Sequence, residues 1–166
     1  MLSDKGQLPP SPPATVLVVD DNRDVVDILA HLLSRHGLIA LGAYSGRECL
    51  EIVRSRPVDV VTLDVMMPEM DGLEVCGELK RLSPSLPIIL LTAKDDMATR
   101  AAAMALGVSE FVVKPINNRD LIARILTQIR VRQWEREPPL RRPREYRSTV
   151  RVLRNRATSN TDSCRG

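Results

Sequence analysis

Five side chains could do chemistry together: Asp20, Asp21, Asp64, Thr92 and Lys114. Each follows a short apolar or β-branched run: Thr15–Val19, Val58–Leu63, Pro87–Leu91 and Glu110–Val113. A carboxylate at the tip of a buried strand is costly unless its charge is used. One such Asp alone more ordinarily just opens a turn. The grouping changes that reading. Two carboxylates about 5 Å apart repel by about 3 kcal/mol at an effective dielectric near 20. Lys114 supplies a single positive charge, too little for three carboxylates. A hard divalent cation with oxygen ligands suits the remainder. Mg²⁺ typically uses one or two carboxylates, keeps several waters and takes a phosphoryl oxygen. A metal, a lysine and a threonine hydroxyl form a site for a tetrahedral dianion. A carboxylate can be the nucleophile there, giving an acyl phosphate. No His, Cys or Glu stands at a strand end to compete for that role.

The elements that must position these residues alternate along the chain. Thr15–Val19 lacks polar alternation, as a strand buried on both faces does. Asn22 can cap a helix with Val25, Ile28, Leu29, Leu32 and Leu33 at helical spacing, closed by Gly37. Ile39–Ala43 reads as a second strand. Ser45-Gly46-Arg47-Glu48 is a capping box for a helix that stops before Pro57. Val58–Leu63 presents Asp64, and Asp71 caps a third helix. Pro87–Leu91, a helix from Met97 to Leu106, Glu110–Val113 and a helix capped by Asn117 complete the series. Alternation with short connections means an α/β fold with a parallel sheet and helices on both faces. All strand ends then share one edge. In doubly wound sheets the crevice outside those ends is the ligand site. That crevice would bring the first and third strands side by side, with Asp20, Asp21 and Asp64 close together.

Composition narrows the class. The chain has 166 residues, 43% hydrophobic, enough for one domain with some tail. No apolar run reaches membrane-span length, and no basic-then-apolar leader reads as a signal peptide. Cys49, Cys76 and Cys164 form no CxxC pair, which points to reduced thiols and a cytoplasmic protein. Residues 1–129 carry 13 Lys and Arg against 17 Asp and Glu, a balance of −4. Residues 130–166 carry 11 against 4, a balance of +7. The expected organisation is a disordered Pro-rich leader (1–14), an acidic domain (15–130) and a basic, mostly disordered tail (131–166).

The chain resembles a response-regulator receiver domain of two-component signalling. The resemblance rests on Asp20-Asp21, Asp64 in an Asp-x-x-x-Pro-x-x-Asp-Gly context, Thr92-Ala93 and Lys114-Pro115, and spans roughly Thr15 to Arg130. It implies a flavodoxin-like, doubly wound (βα)5 fold with a five-stranded parallel sheet in order 2-1-3-4-5. It implies that Asp64 accepts a phosphoryl group from the phosphohistidine of a histidine kinase or phosphotransfer protein. Mg²⁺ would be held by Asp21 directly, Asp20 through water, Asp64 and the Met66 carbonyl. Lys114 would pair with the phosphoryl group and Thr92 would hydrogen-bond it. Thr92 moving inward would make room for Phe111, repacking the surface of the fourth helix, fifth strand and fifth helix. Met66 and Lys94 would border the path of a hydrolytic water and set the lifetime of the phosphoryl group. A cis Lys114–Pro115 bond is expected. His31 and His36 lie on the first helix at a poor metal spacing and are not phosphate carriers.

Output is less defined. From Val131 the apolar periodicity fades and Pro138, Pro139 and Pro143 break any long helix. The favoured reading is a stand-alone receiver that signals to a downstream protein by contact, with a phosphorylation-dependent homodimer as one form. The alternative is a small transcription regulator whose basic tail binds DNA. A hydrolase of the haloacid-dehalogenase type ranks last, because that class pairs its nucleophile with an Asp two residues on, where Met66 stands here. Enzymatic activity is not expected beyond self-phosphorylation from small donors and slow self-dephosphorylation.

Overall fold

The computed structural model describes residues 11–93 and 95–136. Strands and helices alternate as β1 Thr15–Val19, α1 Arg23–Arg35, β2 Ile39–Ala43, α2 Gly46–Ser55, β3 Val60–Asp64, α3 Gly72–Leu82, β4 Ile88–Thr92, α4 Met97–Ala105, β5 Glu110–Val113 and α5 Asn118–Arg136. The strands form one parallel sheet in order β2-β1-β3-β4-β5. Successive residues of a strand face opposite sides, so two cores form. Leu17, Val19, Val61, Leu63, Ile88 and Leu90 pack with residues of α2, α3 and α4. Val16, Val18, Val60, Ile89 and Leu91 pack with α1 and α5. Both faces of β3 and β4 are covered, which is why their sequences are apolar without alternation.

The local signals act as expected. Asn22 Oδ1 accepts from Asp24 N, and Ser45 Oγ accepts from Glu48 N. The Glu48 carboxylate accepts from Tyr44 N, one residue before the cap, so the box is slightly enlarged. Asp71 caps α3 through Leu73 N at 2.7 Å. Asn117 Oδ1 caps α5. Gly37 and Gly107 close α1 and α4 at φ +74° and +78°, where a Cβ is disfavoured.

The boundaries differ in places. β3 starts at Val60, not Val58, because Asp59 turns its carboxylate to cap Thr15 N at 2.8 Å. β4 starts at Ile88, since Pro87 has no N–H to give, although its carbonyl accepts from Val61 N. Ala14 is not leader: it is buried, and its carbonyl accepts from Ile39 N. Residues 1–10 of the expected leader, and 137–166 of the expected tail, lie outside the described residues. α5 continues past Arg130 to Arg136, and the compact unit runs through Arg132. Arg132 is 8% exposed and its Nη1 donates to Ser85 O at 3.0 Å, so it belongs to the domain. Ile28, one of the apolar positions at helical spacing in α1, is 54% exposed: α1 has more apolar positions than the face against the sheet can bury.

Candidate functional site

The ends of β1, β3, β4 and β5 bring the expected residues to one edge of the sheet. Asp64 is the last residue of β3, held in register opposite Leu91 and 4% exposed. Asp20 follows β1 and is equally buried; its N–H donates to Ala43 O, and its Oδ1 accepts from Asn22 N at 2.9 Å. Asp21 is exposed. One carboxylate oxygen from each of Asp20, Asp21 and Asp64 lies within 4.8 Å of the others. Lys114 follows β5, and its N–H donates to Thr92 O at 2.7 Å. The Lys114–Pro115 bond is cis, as expected. Lys114 Nζ lies 3.3 Å from Asp64 Oδ1 and 3.6 Å from Asp20 Oδ2. Thr92 ends β4, fully buried.

Among the described residues the charges of Asp20, Asp21, Asp64 and Lys114 do not balance. Burial raises the Asp64 pKa above its ordinary value; Lys114 pulls it down, Asp20 pushes it up, and the Met66 N–H, which donates to Asp64 Oδ1 at 3.3 Å, pulls it down. Among the described residues Asp20 Oδ2 is buried, has no hydrogen bond and lies 3.6 Å from the Lys114 ammonium. A buried carboxylate oxygen without a donor needs a cation. The donor set is all oxygen, which fits Mg²⁺ rather than a metal that prefers nitrogen or sulfur.

A family model for the response regulator receiver domain matches residues 16–126. This chain is a member of that family. It is 42% identical over 118 residues to the response regulator MprA of Mycolicibacterium vanbaalenii, an alignment covering 71% of this chain and 51% of that protein. The chain thus spans about half the length of this relative. A receiver domain protein of Methanospirillum hungatei, described as CheY-like, superimposes with a TM-score of 0.72 at 23% identity, covering 74% of this chain and 98% of that one, and shows the fold. The response regulator TrrA of Thermotoga maritima, in complex with Mg²⁺ and BeF, superimposes with a TM-score of 0.63 at 33% identity, covering 69% and 98%. The chain is therefore the receiver domain of a two-component response regulator.

The remaining expected residues are placed as follows. Met66 is at the rim of the acidic edge and is 53% exposed. Lys94 lies outside the described residues. Phe111 is partly buried and packs against the core on the α4 side. His31 and His36 are exposed, and His36 Nδ1 only meets Leu32 O of its own helix.

Two features escaped the sequence reading. The first is Gly72, whose N–H donates to Val65 O; a Cβ there would stand 2.3 Å from Asp64 O and 2.7 Å from Val65 Cα. The Asp-Gly pair is therefore also a close approach of α3 to the backbone that carries Asp64. The second is a groove of about 520 Å³ between α1 and the start of α5. Val25, Ile28, Ile116 and Leu121 line it, and Asp20 and Lys114 stand at one end. The surplus apolar positions of α1 were its only sequence signal.

Proposed function

We propose that this receiver takes a phosphoryl group on Asp64, in a Mg²⁺-dependent reaction, from a histidine kinase or phosphotransfer protein. The observation that carries the reading is the cluster of three carboxylates within 4.8 Å of one another with the Lys114 ammonium beside them. Such a cluster repels itself until a divalent cation binds among its oxygens. Asp20, Asp21, Asp64 and the Met66 carbonyl would hold Mg²⁺, which neutralises phosphoryl oxygens when bound. An Asp64 oxygen attacks phosphorus as the P–N bond of the donor phosphohistidine breaks. Its electron pair goes to the imidazole nitrogen, and an acyl phosphate forms. Lys114 pairs with the phosphoryl oxygens and the Thr92 hydroxyl hydrogen-bonds one of them. The groove beside Asp20 and Lys114 offers apolar surface for the donor protein. Inward movement of Thr92 lets Phe111 follow and changes the α4–β5–α5 surface, which a downstream protein or a second copy reads. This goes with a cytoplasmic protein whose own chemistry is limited to accepting the phosphoryl group and losing it slowly.

Asp64→Asn keeps the shape and removes the nucleophile. Labelling by acetyl phosphate with Mg²⁺ should be lost in this variant. Stable, stoichiometric labelling of Asp64→Asn would overturn the assignment.

A further inference from the structure

Phe111 stands opposite Leu90 on the neighbouring strand, and Leu90 lies two residues before Thr92. Strand alternation therefore puts Phe111 and Thr92 on the same face of the sheet, diagonally adjacent, under α4. Arg100, in the first turns of α4, places its guanidinium carbon 5.0 Å from the centroid of the Phe111 ring. The same guanidinium meets Asp95 Oδ1 through Nη2 at 2.6 Å. Asp95 belongs to the connection that leaves Thr92 and enters α4. One exposed arginine thus joins three things: the ring, the helix above it and the loop that departs from Thr92.

We propose that Arg100 is a latch on Phe111. It holds the ring in its partly buried position and so opposes the movement that phosphorylation of Asp64 drives. The proposal rests on the Thr92–Phe111 switch described above and adds a residue that sets its resting balance. A ring that follows Thr92 inward leaves the guanidinium and forfeits the cation–π contact. A loop that follows Thr92 carries Asp95 and disturbs the ion pair. Both contacts are solvent-exposed, so each is small, and together they bias the equilibrium about threefold to tenfold. That range suits a bias that phosphorylation can overcome. The charge effect runs the other way: removing a cation near the site weakens attraction of an anionic donor. Faster phosphorylation on losing Arg100 therefore cannot come from simple electrostatics.

Phe111 is the only phenylalanine in the chain. The 166-residue chain grown with 4-fluorophenylalanine gives one ¹⁹F resonance, which reports this ring alone. Wild type, Arg100→Ala and Asp95→Ala are compared before and after addition of Mg²⁺ with beryllofluoride, with Arg81→Ala as a control for lost surface charge. Arg100→Ala should move the starting resonance toward the beryllofluoride-loaded position and speed initial labelling by acetyl phosphate about threefold to tenfold. Asp95→Ala should do the same more weakly, and Arg81→Ala should do neither. A wild-type resonance that moves with beryllofluoride while Arg100→Ala starts at the wild-type position, with an unchanged labelling rate, would refute the latch and leave the switch intact. A wild-type resonance that does not move would remove the switch and the latch together, while labelling of Asp64 would still stand or fall on Asp64→Asn.

Discussion

At the scale of single residues, the lifetime of a phosphoryl group on Asp64 depends on whether a water can be held in line with phosphorus. Met66, two residues after Asp64, stands exposed at the rim of the site and its side chain offers only a thioether, a weak acceptor. It can cover the approach but cannot orient a water. Wild-type self-dephosphorylation should therefore be slow, and Met66→Asn should speed it, because an amide both donates and accepts. Decay of labelled protein in Mg²⁺, after donor removal, tests this with the two proteins side by side; equal rates would show that position 66 does not set the lifetime. Gly72 acts on the same carboxylate from behind. The atoms a Cβ would strike are backbone atoms of Asp64 and Val65, which cannot rotate away. Gly72→Ala should cost about 1–3 kcal/mol, seen as a lower urea midpoint, and should slow labelling of Asp64. Unchanged stability and rate would mean that α3 shifts freely. Asp64 was legible as a candidate site residue because Asp20, Asp21, Thr92 and Lys114 also follow apolar runs whose ends share one sheet edge. Gly72 was read only as part of a motif, since a close approach between two backbones leaves no mark in hydrophobic pattern.

At the scale of elements, apolar runs and caps located the ten strands and helices of the described residues, and the misreadings fall at their ends. Strand starts moved where a side chain or a proline took the backbone's partners, at Asp59 and Pro87. The end of α5 was the larger difference. Arginines from position 130 onward suggest a solvated tail by composition. Yet Arg132 lays its stem along the domain and gives its Nη1 to Ser85 O, with Nε 4.0 Å from Asp59 Oδ1. Asp59 in turn accepts from Thr15 N, so α5 is tied to the starts of β1 and β3 and to the connection before β4. Long charged side chains can pack as well as pair, and only tertiary geometry tells which arginine does so. Arg132→Ala should therefore destabilise the domain by about 1–3 kcal/mol, through a carbonyl left without its donor and lost packing. Arg130→Ala, at an exposed position, should be nearly neutral. Thermal or urea unfolding of the two variants decides it; equal, small effects would return Arg132 to the tail.

At the scale of the whole molecule, the acidic edge makes stability depend on metal and on pH. Asp64 has a raised pKa, chiefly from burial, with Lys114 opposing and Asp20 adding to the rise. A carboxyl raised in the folded state holds its proton more tightly there than in the unfolded chain. Its favourable contribution is thus complete below the ordinary carboxylate range and is lost as pH rises through the folded value. In EDTA, stability should fall over that window in wild type, and less in Asp64→Asn, whose neutral amide has nothing to titrate. Asp21→Asn should also stabilise the metal-free protein at neutral pH, by about 1 kcal/mol after solvent screening, since it removes one charge from the cluster. Mg²⁺ binds the ionised folded state, so saturating Mg²⁺ should stabilise wild type by linkage. It should do so less for Asp21→Asn, which has lost a ligand, and less for wild type at acid pH, where protons compete. Thermal unfolding of the three proteins across pH, with Mg²⁺ and with EDTA, measures all of these together. Wild type indifferent to saturating Mg²⁺ at neutral pH, with no gain from either substitution in EDTA, would show that the carboxylates do not act on one another and would remove the charge imbalance from which the site was read.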